Sequence, residues 1–174
     1  MVNSETPASF FDAMCVGPIA YAQHMPMLST RKDSIPSSVK SVLDSLQGEP
    51  CYVASSPTYV SEAVRIRARA TERLASSADR MVAGRQIAET ATARAWLDCA
   101  GTSLAAKLPD ALTAGSFSGH LRGPLLLTDS SSTMAAAPEA FVSANASDIE
   151  KGWILGGPYS VSTAVESRLG QLLP

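Results

Sequence analysis

Cysteine is scarce in this chain. Its 174 residues hold three, Cys15, Cys51 and Cys99, an odd number without close spacing. That excludes a disulfide framework and a zinc motif, and leaves the three as small buried hydrophobes. Charge is also sparse: 17% of residues are charged and the net charge is −2. Such a balance gives no global drive toward nucleic acid or an anionic membrane. No apolar run approaches membrane-spanning length. Serine is plentiful, yet no nucleophile-elbow motif frames any of them. Met1 to Ala8 has neither a basic region nor an apolar core, so no signal peptide is expected there. What the chain does have is a 45% apolar fraction. That suffices to bury the core of one compact domain or two small ones.

The stretch from Leu108 to Gly157 organises the rest. Pro109 sets an extended approach and Asp110 can cap a helix start. Ala111, Leu112, Ala114, Gly115 and Gly119 then give the helix a slim packing face, and Gly123-Pro124 ends it. Leu125-Leu126-Leu127 is a short unbroken apolar run, which suits a strand covered on both faces. A second helix is expected from about Ala135 to Ala144, followed by a buried strand Trp153-Ile154-Leu155. Gly156-Gly157 closes it as a tight strand-to-helix turn.

The same grammar occurs earlier. Phe11-Asp12-Ala13-Met14 matches Pro109-Asp110-Ala111-Leu112, Gly17 matches Gly115, and Pro26 to Thr30 matches Pro124 to Thr128. The offset is 98 residues throughout, and Val60-Ser61 pairs with Val161-Ser162 at an offset of 101. A constant offset over many positions means duplication. Ser55-Ser56 then stands where the second copy has Gly156-Gly157.

Taken in order, residues 9 to 24 form the first helix and Met25 to Ser29 its strand. Val39, Val42, Leu43 and Leu46 recur at helical spacing, and Cys51 to Ala54 is a strand. Ser61 caps a short helix to Arg67. Thr71 to Leu74 is a strand, and Asp79 caps a long helix from Arg80 to about Ala95, with Met81, Ile87, Ala88 and Ala91 inward. Trp96 to Ala100 is the expected next strand. A terminal helix from Ser162 to Leu173 turns Val165, Leu169 and Leu172 inward. On this reading the chain enters mid-repeat, with the opening half of its first copy absent, and is expected to be a fragment, a trimmed piece or a shortened gene product.

Four ordered motifs carry a resemblance: Arg73-Leu74 with Asp79-Arg80, Pro109 to Gly115, Pro124 to Thr128, and Gly156-Gly157 with Val161-Ser162. Together they resemble the cell-wall-binding repeat family, type 2, of Gram-positive surface proteins. The glycine expected after arginine-leucine is replaced by Ala75-Ser76-Ser77-Ala78, and the aromatic expected after aspartate-arginine is Met81. The resemblance implies an α/β fold, an open parallel sheet with helices on both faces, of a Rossmann-like or Toprim-like repeat type. The chain then holds about one and a half tandem repeats: residues 1–66 as the C-terminal half of one and 67–174 as a complete second. It further implies a non-catalytic module that anchors a surface protein to an anionic cell-wall polysaccharide at the cell surface. It implies no cofactor, no metal, no nucleic acid and no membrane insertion. Family repeats assemble in threes, so self-association into a dimer or trimer is expected.

Candidate binding residues follow. Arg65, Arg67, Arg69, Arg73, Arg80, Arg85 and Arg94 fall within thirty residues, against Glu62, Glu72, Asp79 and Glu89. The guanidinium fork suits phosphate and carboxylate, so Arg73, Arg80 and Arg85 are candidate polymer contacts. The alternative is a solvated surface with local ion pairs. Leu125, Leu126 and Leu127 match a family element implicated in anchoring, although physically they must first form a core strand. Gly156 and Gly157 precede a helix N-terminus where backbone amides can hold phosphate, yet the full dinucleotide fingerprint is absent. Catalysis has little support. His24 and His120 occupy non-equivalent positions and no metal-ligand motif. Asp12 and Asp110 are equivalent, and each is expected to cap a helix rather than act as a base. Two competing functions remain: a small nucleotide- or phosphate-using enzyme on a Rossmann-like sheet, and an interaction module whose polymer binding has decayed.

Overall fold

The computed structural model describes residues 1–129 and 133–174. Seven helices alternate with seven strands of two or three residues among them. The first half holds β1 (Val2–Asn3), α1 (Pro7–Ala22), β2 (Ser29–Thr30), α2 (Ser37–Ser45), β3 (Tyr52–Val53) and α3 (Glu62–Arg67). The second holds β4 (Glu72–Arg73), α4 (Arg80–Ala93), β5 (Ser103–Ala105), α5 (Leu108–His120), β6 (Leu125–Leu127), α6 (Ala136–Ala144), β7 (Trp153–Leu155) and α7 (Thr163–Leu172). Every strand pair is parallel. In place of one open sheet there are three small ones: β1-β2, β3-β4 and β6-β5-β7. Main-chain bonds tie the first two together, with the Met1 amine donating to Tyr52 O at 2.5 Å and Ala54 N to Met1 O at 2.9 Å.

The duplication is written into the backbone. Val2 pairs with Ser29, and Ala105 with Leu127, which lies 98 positions after Ser29. His24 and Arg122, also 98 apart, both take a left-handed φ, 53° and 54°, just past α1 and α5. In both copies a serine hydroxyl caps the last helix: Ser61 accepts from Val64 N and Ser162 from Val165 N.

Two cores share one strand. Leu125 and Leu127 sit with Met14, Ile19, Ile87 and Ala105, while Leu126 sits with Leu104, Phe141, Val142 and Val165. Alternate side chains of a strand point to opposite faces, so β6 pins a core on each side. Helices α1 and α5 cross closely, because Gly17 and Gly115 meet there with no side chain between them.

Several expectations need correction. Trp96 to Ala100 is a turn, not a strand; Ala95 takes φ 54° and Trp96 N folds back to Ala91 O. The strand comes later, at Ser103–Ala105. Val2–Asn3 forms β1, which holds in the first copy the place that β5 holds in the second. The partner of β1 is Ser29–Thr30, so the strand expected over Met25 to Ser29 is shorter and later, and Met27 before it is 51% exposed. Helix α2 buries only Leu43 of its four expected inner residues. Nor do the two aspartates cap helices. Thr6 forms a capping box for α1, Lys107 is the N-cap of α5, and Asp12 and Asp110 lie inside those helices.

Candidate functional site

The arginine-rich segment spans α3, β4 and α4, and each of its seven guanidinium groups has an intramolecular partner. Arg65 pairs with Glu62 at 2.6 Å, Arg69 with Asp44 at 3.2 Å and Arg85 with Glu89 at 2.6 Å. Arg67 donates to Asp33 O at 2.6 Å. Arg80 lies over the Phe11 ring, 4.5 Å from its centroid. Arg94 pairs with Glu72 and lies 4.9 Å from the Trp96 ring and 5.7 Å from that of Tyr52. Those two rings meet edge to face at 5.0 Å.

Arg73 differs from the others. Its side chain is only 11% exposed. The guanidinium donates to Ser55 O, to Val60 O at 2.9 Å and to Glu62 at 3.3 Å. It therefore clamps the β3–α3 turn rather than facing solvent. Of the three candidate arginines, Arg85 is the one on an open helix face. Between β4 and α4 runs a shallow groove of about 480 Å³, bordered by Arg73, Gln86, Glu89, Thr90 and Arg94. It mixes both charge signs with amide and hydroxyl groups.

Leu125, Leu126 and Leu127 are each at most 1% exposed, so they support the fold and touch no ligand in this conformation. Gly156 takes φ 112°, and a Cβ there would lie 2.5 Å from Asp110 Oδ2. The bare turn thus lets the helix α5 carboxylate approach it. In the first copy the equivalent Asp12 is 2% exposed, and Ser55 and Ser56 are fully buried. Asp12 Oδ2 and the Ser55 and Ser56 hydroxyls all lack a hydrogen-bond partner among the described residues. Burial pushes the Asp12 carboxyl up to about 6. Burial, and then the Asp12 charge, raise the Cys15 thiol, and burial pushes Cys99 up to about 11, so neither is a ready nucleophile. Among the described residues no group of three or more His, Cys, Asp or Glu could hold a metal.

An apolar cavity of about 650 Å³ opens between α1, α2 and β1 to β3, with Ile19, Met27, Leu43, Leu46, Tyr52 and Trp96 on its walls. The sequence reading missed it. It also missed the Arg73 clamp and the buried Asp12, Ser55 and Ser56. The equivalence of Asp12 to Asp110 and of Ser55-Ser56 to Gly156-Gly157 was the available signal, because it places aspartate against the turn in both copies.

The pattern of cell wall binding domain 2 (CWB2) matches residues 74–166, more than half of the chain. The chain belongs to the CWB2 family. Cwp6 from Clostridium difficile is a solved structure similar to this CWB2 chain, with TM-score 0.83 and 22% identity, over 99% of this chain. The CWB2 chain spans 27% of the length of that one. A search of curated proteins gives no match. The CWB2 match makes the chain a cell-wall-binding module, and no helix among its described residues is long and apolar enough to cross a membrane.

Proposed function

We propose that this module attaches its protein to an anionic cell-wall polysaccharide at the cell surface, and that it does so without catalysis. The observation that carries the location is Arg94. Its side chain is 41% exposed, its guanidinium stands over two aromatic rings, and the residue borders the groove between β4 and α4. An aromatic surface beside a planar cation suits sugar rings that bear phosphate or carboxylate. Arg73 borders the same groove, and Arg80 and Arg85 of α4 are taken as further polymer contacts outside it. Gly156 and Gly157 contribute backbone shape rather than charge.

The small sheets combine, in this reading, into a Rossmann-like repeat arrangement of about one and a half units, divided near residues 66 and 67. The units are interdependent, because β4 of the second pairs with β3 of the first. Self-association into a dimer or trimer belongs to the same reading. Tyr21, Met27, Val42 and Leu46 of the first unit are 49%, 51%, 39% and 38% exposed.

Sedimentation with purified cell walls tests the function. The chain is expected to pellet with intact walls, to stay in solution with walls stripped of their secondary polymers, and to release as salt rises. Retention on stripped walls would overturn the polymer assignment.

A further inference from the structure

Four charged side chains border the groove between β4 and α4: Glu72, Arg73, Glu89 and Arg94. Their charges sum to zero. Arg73 is turned inward onto the carbonyl oxygens of Ser55 and Val60, and little of it is left for a ligand. The charges open to solvent are therefore two carboxylates and one guanidinium. The side chains of Glu72 and Glu89 are 36% and 46% exposed, about as open as that of Arg94. Arg85 stands outside the groove and pairs with Glu89 at 2.6 Å.

The rest of the wall is neutral. Gln86, Glu89, Thr90 and Ala93 are three or four residues apart and so share one face of α4. Gln86 Oε1 accepts from Ser76 N at 2.9 Å and Ser77 N at 3.2 Å, which ties α4 to the loop after β4. The Thr90 hydroxyl donates to Gln86 O at 2.9 Å. These neutral groups are engaged within the chain, so recognition falls to the charged ones.

Glu72 is bonded to Arg94, and Glu89 to Arg85. Exposed pairs of this kind are worth little and open readily. What replaces them decides whether a ligand gains. A phosphate or carboxylate that takes Arg94 displaces Glu72 and sets two like charges side by side, which is unfavourable. A ligand that also carries an ammonium group returns a partner to the displaced carboxylate. The guanidinium fork suits the anion, and an ammonium offers three donors to carboxylate oxygens. The Tyr52 and Trp96 rings lie against the Arg94 guanidinium and limit its swing when Glu72 exchanges partner.

We propose that the groove takes a repeat unit of both signs: an anionic sugar seated on Arg94, with a free amino group on the same or the next sugar held by Glu72 and Glu89. This rests on the polymer attachment proposed for the module and narrows its ligand to an anionic polysaccharide that keeps unacetylated amines.

The sign of one effect discriminates. Toward a polymer with anions alone, removing carboxylates from the groove should strengthen binding; toward a polymer of both signs it should weaken it. Glu72→Gln and Glu89→Gln, singly and together, are sedimented with intact walls, with walls N-acetylated by acetic anhydride, and with walls stripped of secondary polymers. Melting temperatures of the variants confirm that the fold is kept. The double variant is expected to bind intact walls at least tenfold more weakly than the parent. Acetylation should weaken the parent by a similar factor and the double variant hardly at all. Glucosamine 6-phosphate, which carries both charges, should shift the Glu89 and Arg94 amide signals at concentrations at least tenfold below those that N-acetylglucosamine 6-phosphate needs. Tighter wall binding by the double variant, equal binding of the parent to acetylated and intact walls, or equal affinity for the two phosphosugars would overturn the proposal. Retention on intact but not on stripped walls would then leave the polymer attachment standing, whereas equal retention on both would remove the two together.

Discussion

Gly17 and Gly115 are equivalent residues of the two copies, and they face each other. A Cβ on Gly17 would lie 3.1 Å from Gly115 Cα, and one on Gly115 would lie 3.3 Å from Gly17 Cα. Each is helical, where glycine costs about 0.5–1 kcal/mol relative to alanine. The close approach of α1 and α5 offsets that cost. Gly115→Val places branched carbons against backbone that cannot move without parting the helices, so a loss of about 1–3 kcal/mol is expected. Gly170, in α7, is a contrast: nothing lies within 4 Å of its added Cβ. Gly170→Ala should gain about 0.5–1 kcal/mol. Urea midpoints at constant m-value measure both, and a neutral Gly115→Val would show that the crossing is loose.

Asp12 makes stability depend on pH. Its carboxyl titrates at about 6 when folded, against a reference value of 3.8. Between those values the folded state holds more protons than the unfolded one, so stability falls as pH rises from about 4 to about 6 and is level above. The Asp12 contribution is about 3 kcal/mol at most, at roughly 1.4 kcal/mol per pKa unit. Asp12→Asn should abolish this slope. Its stability relative to the parent should therefore rise by about 1–3 kcal/mol between pH 4.5 and pH 7.5. Other titrating groups cancel in the difference. Urea denaturation at the two pH values checks it, and parallel profiles for parent and variant would refute a buried ionised Asp12.

How the fold was legible from sequence varies by element. The duplication and β6 were visible because Asp110, Gly115 and the Leu125 to Thr128 run repeat their first-copy counterparts at one offset. Strand β5 was not. Ser103-Leu104-Ala105 carries a single large apolar side chain, whereas Trp96-Leu97 offered a stronger apolar cue in a segment that the left-handed Ala95 turns aside. Strand β1 is two residues at the chain start, too short for any period. The Asp12 cap reading failed because Thr6, a turn and a half earlier, already caps α1 and leaves Asp12 in the interior. The inward turn of Arg73 could not be read at all: two of its acceptors are backbone carbonyls, which carry no side-chain signature.

The first unit keeps an incompletely covered apolar surface. Helix α1 is covered within the chain by α4 and α5. The outer side of β2 and α2 lacks that cover, and Met27 and Val42 stand exposed there beside the apolar cavity. A dimer or trimer is expected by light scattering at micromolar concentration, and Met27→Glu with Val42→Glu should shift it to monomer while the helical content stays. A monomeric mass for the parent, with residues 1–66 resistant to protease, would show that the unit is satisfied within its own chain.

Arg73 and Arg85 separate folding from binding. Arg73 is nearly buried and holds two carbonyls and Glu62, so Arg73→Gln strands acceptors in the β3–α3 turn. A loss of about 1–3 kcal/mol in stability is expected, since hydrogen bonds to charged groups are worth about that much. Arg85 is 40% exposed and pairs with Glu89 one turn on, a contact worth a few tenths of a kcal/mol. Arg85→Gln should therefore leave the melting temperature within a degree or two. In the wall-sedimentation assay the order should invert. Arg85→Gln, with Arg80→Gln added, removes two partly exposed positive charges, so it should weaken binding at low salt and flatten its salt dependence. Arg73→Gln, assayed well below its melting temperature, should leave the salt dependence unchanged. Equal wall binding by the Arg80 and Arg85 double variant and the parent at low ionic strength would remove these arginines from the polymer surface and leave Arg94 as the guanidinium to test.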